Sequence, residues 1–127
     1  MEWEEEGSVD VSVLMFKTLS AVEREEDELV FVTDSGERYR MYHRQRCCES
    51  VTIEDIVGEL TDLVGSPILM AEEVSNSTDP PLNRWNPDSY TWTFYKFATV
   101  KGYVTIRWYG ESNGYYSESV DFAKVEG

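Results

Sequence analysis

Histidine and cysteine are scarce in this 127-residue chain, which limits the chemistry it can carry. His43 is the sole histidine, and the two cysteines, Cys47 and Cys48, are adjacent. Neighbouring cysteines rarely bridge each other, because the ring is strained. They also lack the spaced pairs of a zinc site. The simpler expectation is two reduced thiols packing a turn, and the sharper one is a redox pair or an intermolecular contact. No apolar run approaches the ~20 residues of a membrane span, so no membrane partner is expected. The first residues, Met1-Glu2-Trp3-Glu4-Glu5-Glu6, carry the wrong charge for a secretory or mitochondrial leader. A cytoplasmic location follows as the default. Bases are also few: 11 against 25 acids, for a formal charge of −14. Duplex nucleic acid is therefore not an expected partner, because phosphate contacts need clustered Lys and Arg. A small anion needs only one local basic pocket, and Arg38, Arg40, Arg44 and Arg46 put four bases into nine residues.

What is present is enough for a core. Hydrophobic residues make up 41% and aromatics 13% of the chain, and a single domain of this length buries roughly two-thirds of its unfolded surface. Residues 1–8 are acidic and aperiodic, so a flexible N-terminus is expected before one β-rich domain over 9–127. Val9–Phe16 reads as a short helix or an irregular cover. Thr18–Glu23, Glu28–Thr33 and Glu37–His43 read as strands, with Asp34-Ser35-Gly36 as the turn between the last two. From Ser50 to Gly65, apolar residues at 53, 56, 57, 60, 63 and 64 predict a helix, broken at Gly58 and stopped at Gly65. Ile68–Val74 reads as a strand and Ser75–Asp88 as a long loop. Tyr90–Val100, Gly102–Tyr109 and Tyr115–Lys124 read as strands joined by short turns, the last turn carrying Asn113-Gly114. The expected fold is mainly β (α+β): an antiparallel meander of about seven strands, with one or two short helices packed on it.

Motifs for catalysis are weak. Gly110-Glu111-Ser112-Asn113-Gly114 matches G-x-S-x-G, but a strand rather than a helix is expected to follow, and His43 is the only base available to a triad. His43, between Tyr42 and Arg44 on a strand, reads more simply as a hydrogen-bonded structural residue. Acid pairs such as Glu25/Glu26 and Glu72/Glu73 arise by chance among 25 acids, and Asn76-Ser77-Thr78 reads as loop. No catalytic residue, metal or cofactor is expected.

Two constellations set by period-2 alternation are richer. Arg38, Arg40, Tyr42, Arg44 and Arg46 point to one side of a regular strand, as a solvated face neutralising the acidic N-terminal region or as an anion-binding strip. Arg24, a lone base among Glu23, Glu25 and Glu26, is a solvated ion pair on the simpler reading and a weaker candidate anion contact on the other. Toward the C-terminus, Trp92, Phe94 and Lys96 share one face, and Tyr103, Thr105, Arg107 and Tyr109 share another. Val104, Ile106 and Trp108 make a core row. Arg107 is then expected among tyrosines, near Asn113, Tyr115 and Tyr116 across the hairpin. Aromatics stack on bases, arginine pairs with phosphate and asparagine bonds an adenine edge. An arginine packed on tyrosines beside acids is the structural alternative.

Several stretches together resemble a family encoded largely by phages. They are Arg40-Met41-Tyr42-His43, Cys47-Cys48-Glu49-Ser50-Val51, Thr91-Trp92-Thr93-Phe94-Tyr95-Lys96, and Val104 through Ser117 (VTIRWYGESNGYYS). The resemblance runs from about residue 17 onward and is to the Thoeris anti-defence type 1 sponges. It leaves out the Glu-rich N-terminus and the 75–88 loop. It implies a homodimer or higher homo-oligomer that holds a glycocyclic ADP-ribose signal without cleaving it, in the host cytoplasm. Some relatives also hold cyclic oligonucleotides. The ligand-binding candidates are Arg107, Trp92, Phe94, Tyr109, Asn113, Tyr115, Tyr116 and Arg24. The rival expectation is an acidic phage protein that inhibits a host defence protein by direct contact or nucleic-acid mimicry.

Overall fold

Alternating β-branched and aromatic residues set the architecture. The computed structural model describes residues 4–77 and 88–126. Nine strands form there: β1 (Glu4–Ser8), β2 (Leu19–Arg24), β3 (Leu29–Thr33), β4 (Arg38–Tyr42), β5 (Ser50–Val57), β6 (Met70–Asn76), β7 (Ser89–Thr99), β8 (Gly102–Ser112) and β9 (Asp121–Glu126). They make two antiparallel sheets, ordered β1-β9-β4-β3-β2 and β5-β8-β7-β6. Each sheet contains one continuous meander, β2-β3-β4 or β6-β7-β8. The only helical elements among the described residues are two 3-10 turns, Val11–Leu14 and Leu60–Leu63. The mainly β, antiparallel class is the one expected from the sequence.

The sheets pack face to face. Phe31 of β3 meets Phe97 of β7 with ring centroids 5.5 Å apart, and the Trp108 indole N–H on β8 donates to the Met41 sulfur on β4 at 3.4 Å. The predicted row Val104, Ile106 and Trp108 is fully inside. Burying each such side chain contributes about 1.5–3 kcal/mol. The first 3-10 turn, capped by the Asp10 carboxylate accepting from the Ser12 N–H, adds Val11 and Leu14 to the core.

Four expectations change. The helix predicted over 50–65 is instead β5 followed by the second 3-10 turn. Val51 and Ile53 are buried on one face, a bulge at Glu54 shifts the register, and Ile56 returns to that face. The result copies helical spacing. The strand predicted from Tyr115 begins only at Asp121, and it lies in the other sheet, so Asn113-Gly114 closes no hairpin. The hydroxyls of Ser112 and Thr91 both donate to the Glu118 carboxylate and draw the 113–120 connection back across the sheet end. The acidic stretch 1–8 supplies a strand over Glu4–Ser8, because β9 offers it an open edge. Cys47 and Cys48 are joined to each other rather than reduced, in a turn where the Glu49 carboxylate accepts the backbone N–H groups of Arg46 and Cys47. Residues 1–3 and most of the expected 75–88 loop, residues 78–87, lie outside the described residues.

Candidate functional site

The outward face of the second sheet concentrates aromatic and cationic side chains. Residues paired across antiparallel strands share a face, and the register builds three rows. The middle row runs Asp55, Arg107, Phe94, Val74 across β5, β8, β7 and β6. On one side lies the row Thr52, Tyr109, Trp92, Asn76, and on the other Val57, Thr105, Lys96, Glu72. Trp92, Phe94 and Lys96 therefore share one surface with Tyr103, Thr105, Arg107 and Tyr109, rather than occupying two.

Arg107 sits at the centre of this surface. Its guanidinium carbon lies 5.6 Å from the centroid of Trp92, within cation–π range. Its only ion pair among the described residues is a long one, 3.8 Å to Asp55, and both side chains are substantially exposed. A pair of that kind contributes about 0–1 kcal/mol. The Arg107 Nε is buried and has no hydrogen-bond partner among the described residues. A buried donor left without an acceptor is costly. Trp92 rests on Tyr109 with ring centroids 4.7 Å apart. Tyr109 itself is 2% exposed, with its hydroxyl donating to Glu111. It backs Trp92 and does not present a stacking face. Tyr103, at 75% exposure, does.

Four of the predicted residues, Arg107, Trp92, Phe94 and Tyr109, thus come together. The others do not. Asn113, Tyr115 and Tyr116 lie beyond the end of β8, where the Asn113 side chain accepts the Tyr115 N–H and Tyr115 points into solvent. Tyr116 lines a separate cleft of about 340 Å³ with Glu73, Ser75, Thr91, Thr93 and Glu118. Thr91 and Thr93 belong to the face of β7 opposite Trp92. Arg24 is on β2 in the first sheet, with its Nε donating to the Glu26 carbonyl. Asp55 and Val57 escape sequence reasoning because their segment reads as helix. No signal in the sequence overrides that spacing.

His43 is held structurally. Its side chain is 4% exposed. Nδ1 meets the Ser119 carbonyl oxygen and Nε2 the Glu49 carboxylate, each at 2.8 Å. Burial works to raise the Glu49 carboxyl, but the His43 bond and the Cys47 and Arg46 N–H groups outweigh it and lower the group to about 2. A carboxyl whose folded value lies below its unfolded one stabilises at pH above the unfolded value and loses that contribution as pH falls. Here the window runs from about 4.5 down to about 2. The urea midpoint of Glu49→Gln should accordingly fall below wild type at neutral pH, with the gap closing through that window. A pH-independent gap would rule out an ionised Glu49 as its source.

Among the described residues there is no group of three or more side chains suited to hold a metal ion, and no helix is long and apolar enough to cross a membrane. No curated protein and no solved structure matches the chain. A family model described as a domain of unknown function, DUF7448, matches residues 12–122. That span takes in β2 through the start of β9 and every residue of the aromatic face, and the chain belongs to the DUF7448 family.

Proposed function

We propose that the chain binds and sequesters a cyclic nucleotide-type immune signal of the glycocyclic ADP-ribose class, using the aromatic face of the second sheet. The observation that carries this reading is the buried, unpartnered Arg107 Nε beside Trp92, in the middle of an open face. A phosphate takes the guanidinium in a charge-assisted pair. The half-buried rings of Trp92 and Phe94 offer surfaces on which a base stacks, worth about 1–3 kcal/mol per base. The resemblance to the Thoeris anti-defence type 1 sponges supports the ligand class and the absence of turnover. A second copy of the chain covers part of the face in this reading, since Val57, Val74 and Tyr103 are exposed apolar groups around the same rows.

The reading is tested by incubating cyclic ADP-ribose isomers with excess protein, heating, and identifying the released small molecules by mass spectrometry. A sponge depletes the free signal and returns it intact. Ring-opened or hydrolysed product would make the protein an enzyme. Failure to deplete any of these isomers would remove the ligand class.

A further inference from the structure

We infer that the cleft at one end of the second sheet's inward face is a second binding site, built to take a sugar ring. Along β7 the inward residues change character toward this end. Phe97 and Tyr95 belong to the hydrophobic core, whereas Thr93, Thr91 and Ser89 carry hydroxyls. Along β6 the same change runs from the buried Ala71 to the exposed Glu73 and Ser75. The register sets Glu73 beside Tyr95 and Ser75 beside Thr93, so the two strands build one hydroxyl-bearing floor. The opposite wall is the 113–120 connection, held across the sheet end by the Glu118 carboxylate, which accepts from the Thr91 and Ser112 hydroxyls. Gly114, Tyr116, Ser117 and Ser119 complete the described lining of a cleft of about 340 Å³.

Thr93 carries the inference. It is 3% exposed and lines the cleft, and its hydroxyl has no hydrogen-bond partner among the described residues. Buried polar groups are ordinarily bonded, as the neighbouring Thr91 is to Glu118 at 2.8 Å. The lining then decides the class of ligand. Its described residues include two carboxylates, Glu73 and Glu118, and no base, which disfavours a phosphate or a carboxylate. Both acids already serve neutral O–H donors: Glu118 holds two hydroxyls, and Glu73 accepts the Tyr95 hydroxyl at 3.0 Å. An ammonium group or a metal ion offers no acceptor to the hydroxyls of Thr93, Ser75 and Ser89. A sugar donates and accepts at each of its hydroxyls, so one ring matches the second Glu73 oxygen and the hydroxyl floor together. The half-buried Tyr116 brings an aromatic ring, polar at its tip and apolar along its body, to the same cleft. Trp92 and Phe94 lie on the other face of β7, so the site stands whether or not that face binds a nucleotide.

Amide NMR of the isotope-labelled full chain tests the site, with ribose, glucose, galactose and N-acetylglucosamine titrated separately and spermidine and magnesium chloride as cation probes. At least one sugar is expected to give saturable shifts at residues 73–75, 89–93 and 114–119, and neither cation is. Thr93→Val, which keeps the shape and removes the hydroxyl, should weaken that sugar by about tenfold, or ~1.4 kcal/mol. Its melting temperature should be no lower than wild type, because no hydrogen bond of the fold is lost. Thr93→Ser keeps the hydroxyl and should bind as wild type does, and Arg107→Ala should leave the shifts in place. The site is overturned if none of the four sugars gives saturable shifts, or if spermidine or magnesium saturates the same amides. Unchanged sugar affinity in Thr93→Val, or loss of the sugar shifts in Arg107→Ala, would overturn it equally.

Discussion

Replacing Arg107 with alanine should weaken nucleotide binding by roughly 30-fold or more, at about 1.4 kcal/mol per decade. The estimate comes from the cost of truncating one partner of a buried, charge-assisted pair, about 2–5 kcal/mol. The pairing of Arg107 in the structure is the ground for expecting a large cost. Arg107 has no strong partner to lose, since the Asp55 contact is 3.8 Å long and exposed, and its Nε has none at all among the described residues. Nearly all of its pairing energy is therefore available to a ligand. Asp55→Asn should move affinity the other way, by up to about fivefold, because it removes an exposed competing charge worth at most ~1 kcal/mol. Arg38→Ala should change binding by less than about threefold, since Arg38 lies on β4 in the other sheet. Calorimetry gives the affinities, and melting temperatures measured beside them separate binding from folding. An Arg107→Ala protein that folds normally and binds as tightly as wild type would place the site elsewhere.

The rows of this face were legible because strand alternation is a strong local signal. Val104, Ile106 and Trp108 point inward, which forces Tyr103, Thr105, Arg107 and Tyr109 outward. The partner strand was legible on the same grounds. Their union on one surface was not, because it depends on the register Trp92↔Tyr109 and Phe94↔Arg107, which alternation within a single strand does not fix. The Asn113-Gly114 signal misled for a different reason. It does make a turn, with Gly114 at φ +94°, but a hairpin also needs an alternating strand straight afterwards. Tyr115-Tyr116-Ser117-Glu118-Ser119 has none, and Glu118 is captured by Ser112 and Thr91 instead. With the hairpin gone, Asn113, Tyr115 and Tyr116 leave the neighbourhood of Arg107. The basic cluster 38–46 was visible in composition, yet its split was not. Arg40 stays on the strand, bonded to Glu28 at 2.9 Å and stacked over Tyr42, whereas Arg44 and Arg46 lie beyond the end of β4 and are exposed, in a stretch where the Arg44 N–H donates to Asp121.

The segment 50–65 gives the sharpest test of the fold, because its two readings predict opposite signs for one substitution. In the helix that its spacing suggests, Gly58→Ala would stabilise the protein by about 0.5–1 kcal/mol. In the structure Gly58 follows β5 at φ +101°, and an added Cβ would lie against the Tyr103 carbonyl oxygen and 3.3 Å from the Val104 Cα. Both are backbone atoms of β8, so no side chain can swing aside to relieve the contact. Strained backbone of this kind costs about 1–3 kcal/mol, and displacing the start of a central strand adds to it, for a total of about 2–4 kcal/mol. A loss of roughly 10 °C in melting temperature is expected for a chain of this size. Gly36→Ala is the control: φ is +93° there, but nothing lies within 4 Å of the added carbon, so only the conformational cost remains. The difference between the two variants isolates the contact with Tyr103, which anchors one end of the aromatic face. A Gly58→Ala protein melting at or above wild type would mean that the segment is helical after all. Asp55 and Val57 would then leave the rows that place Arg107.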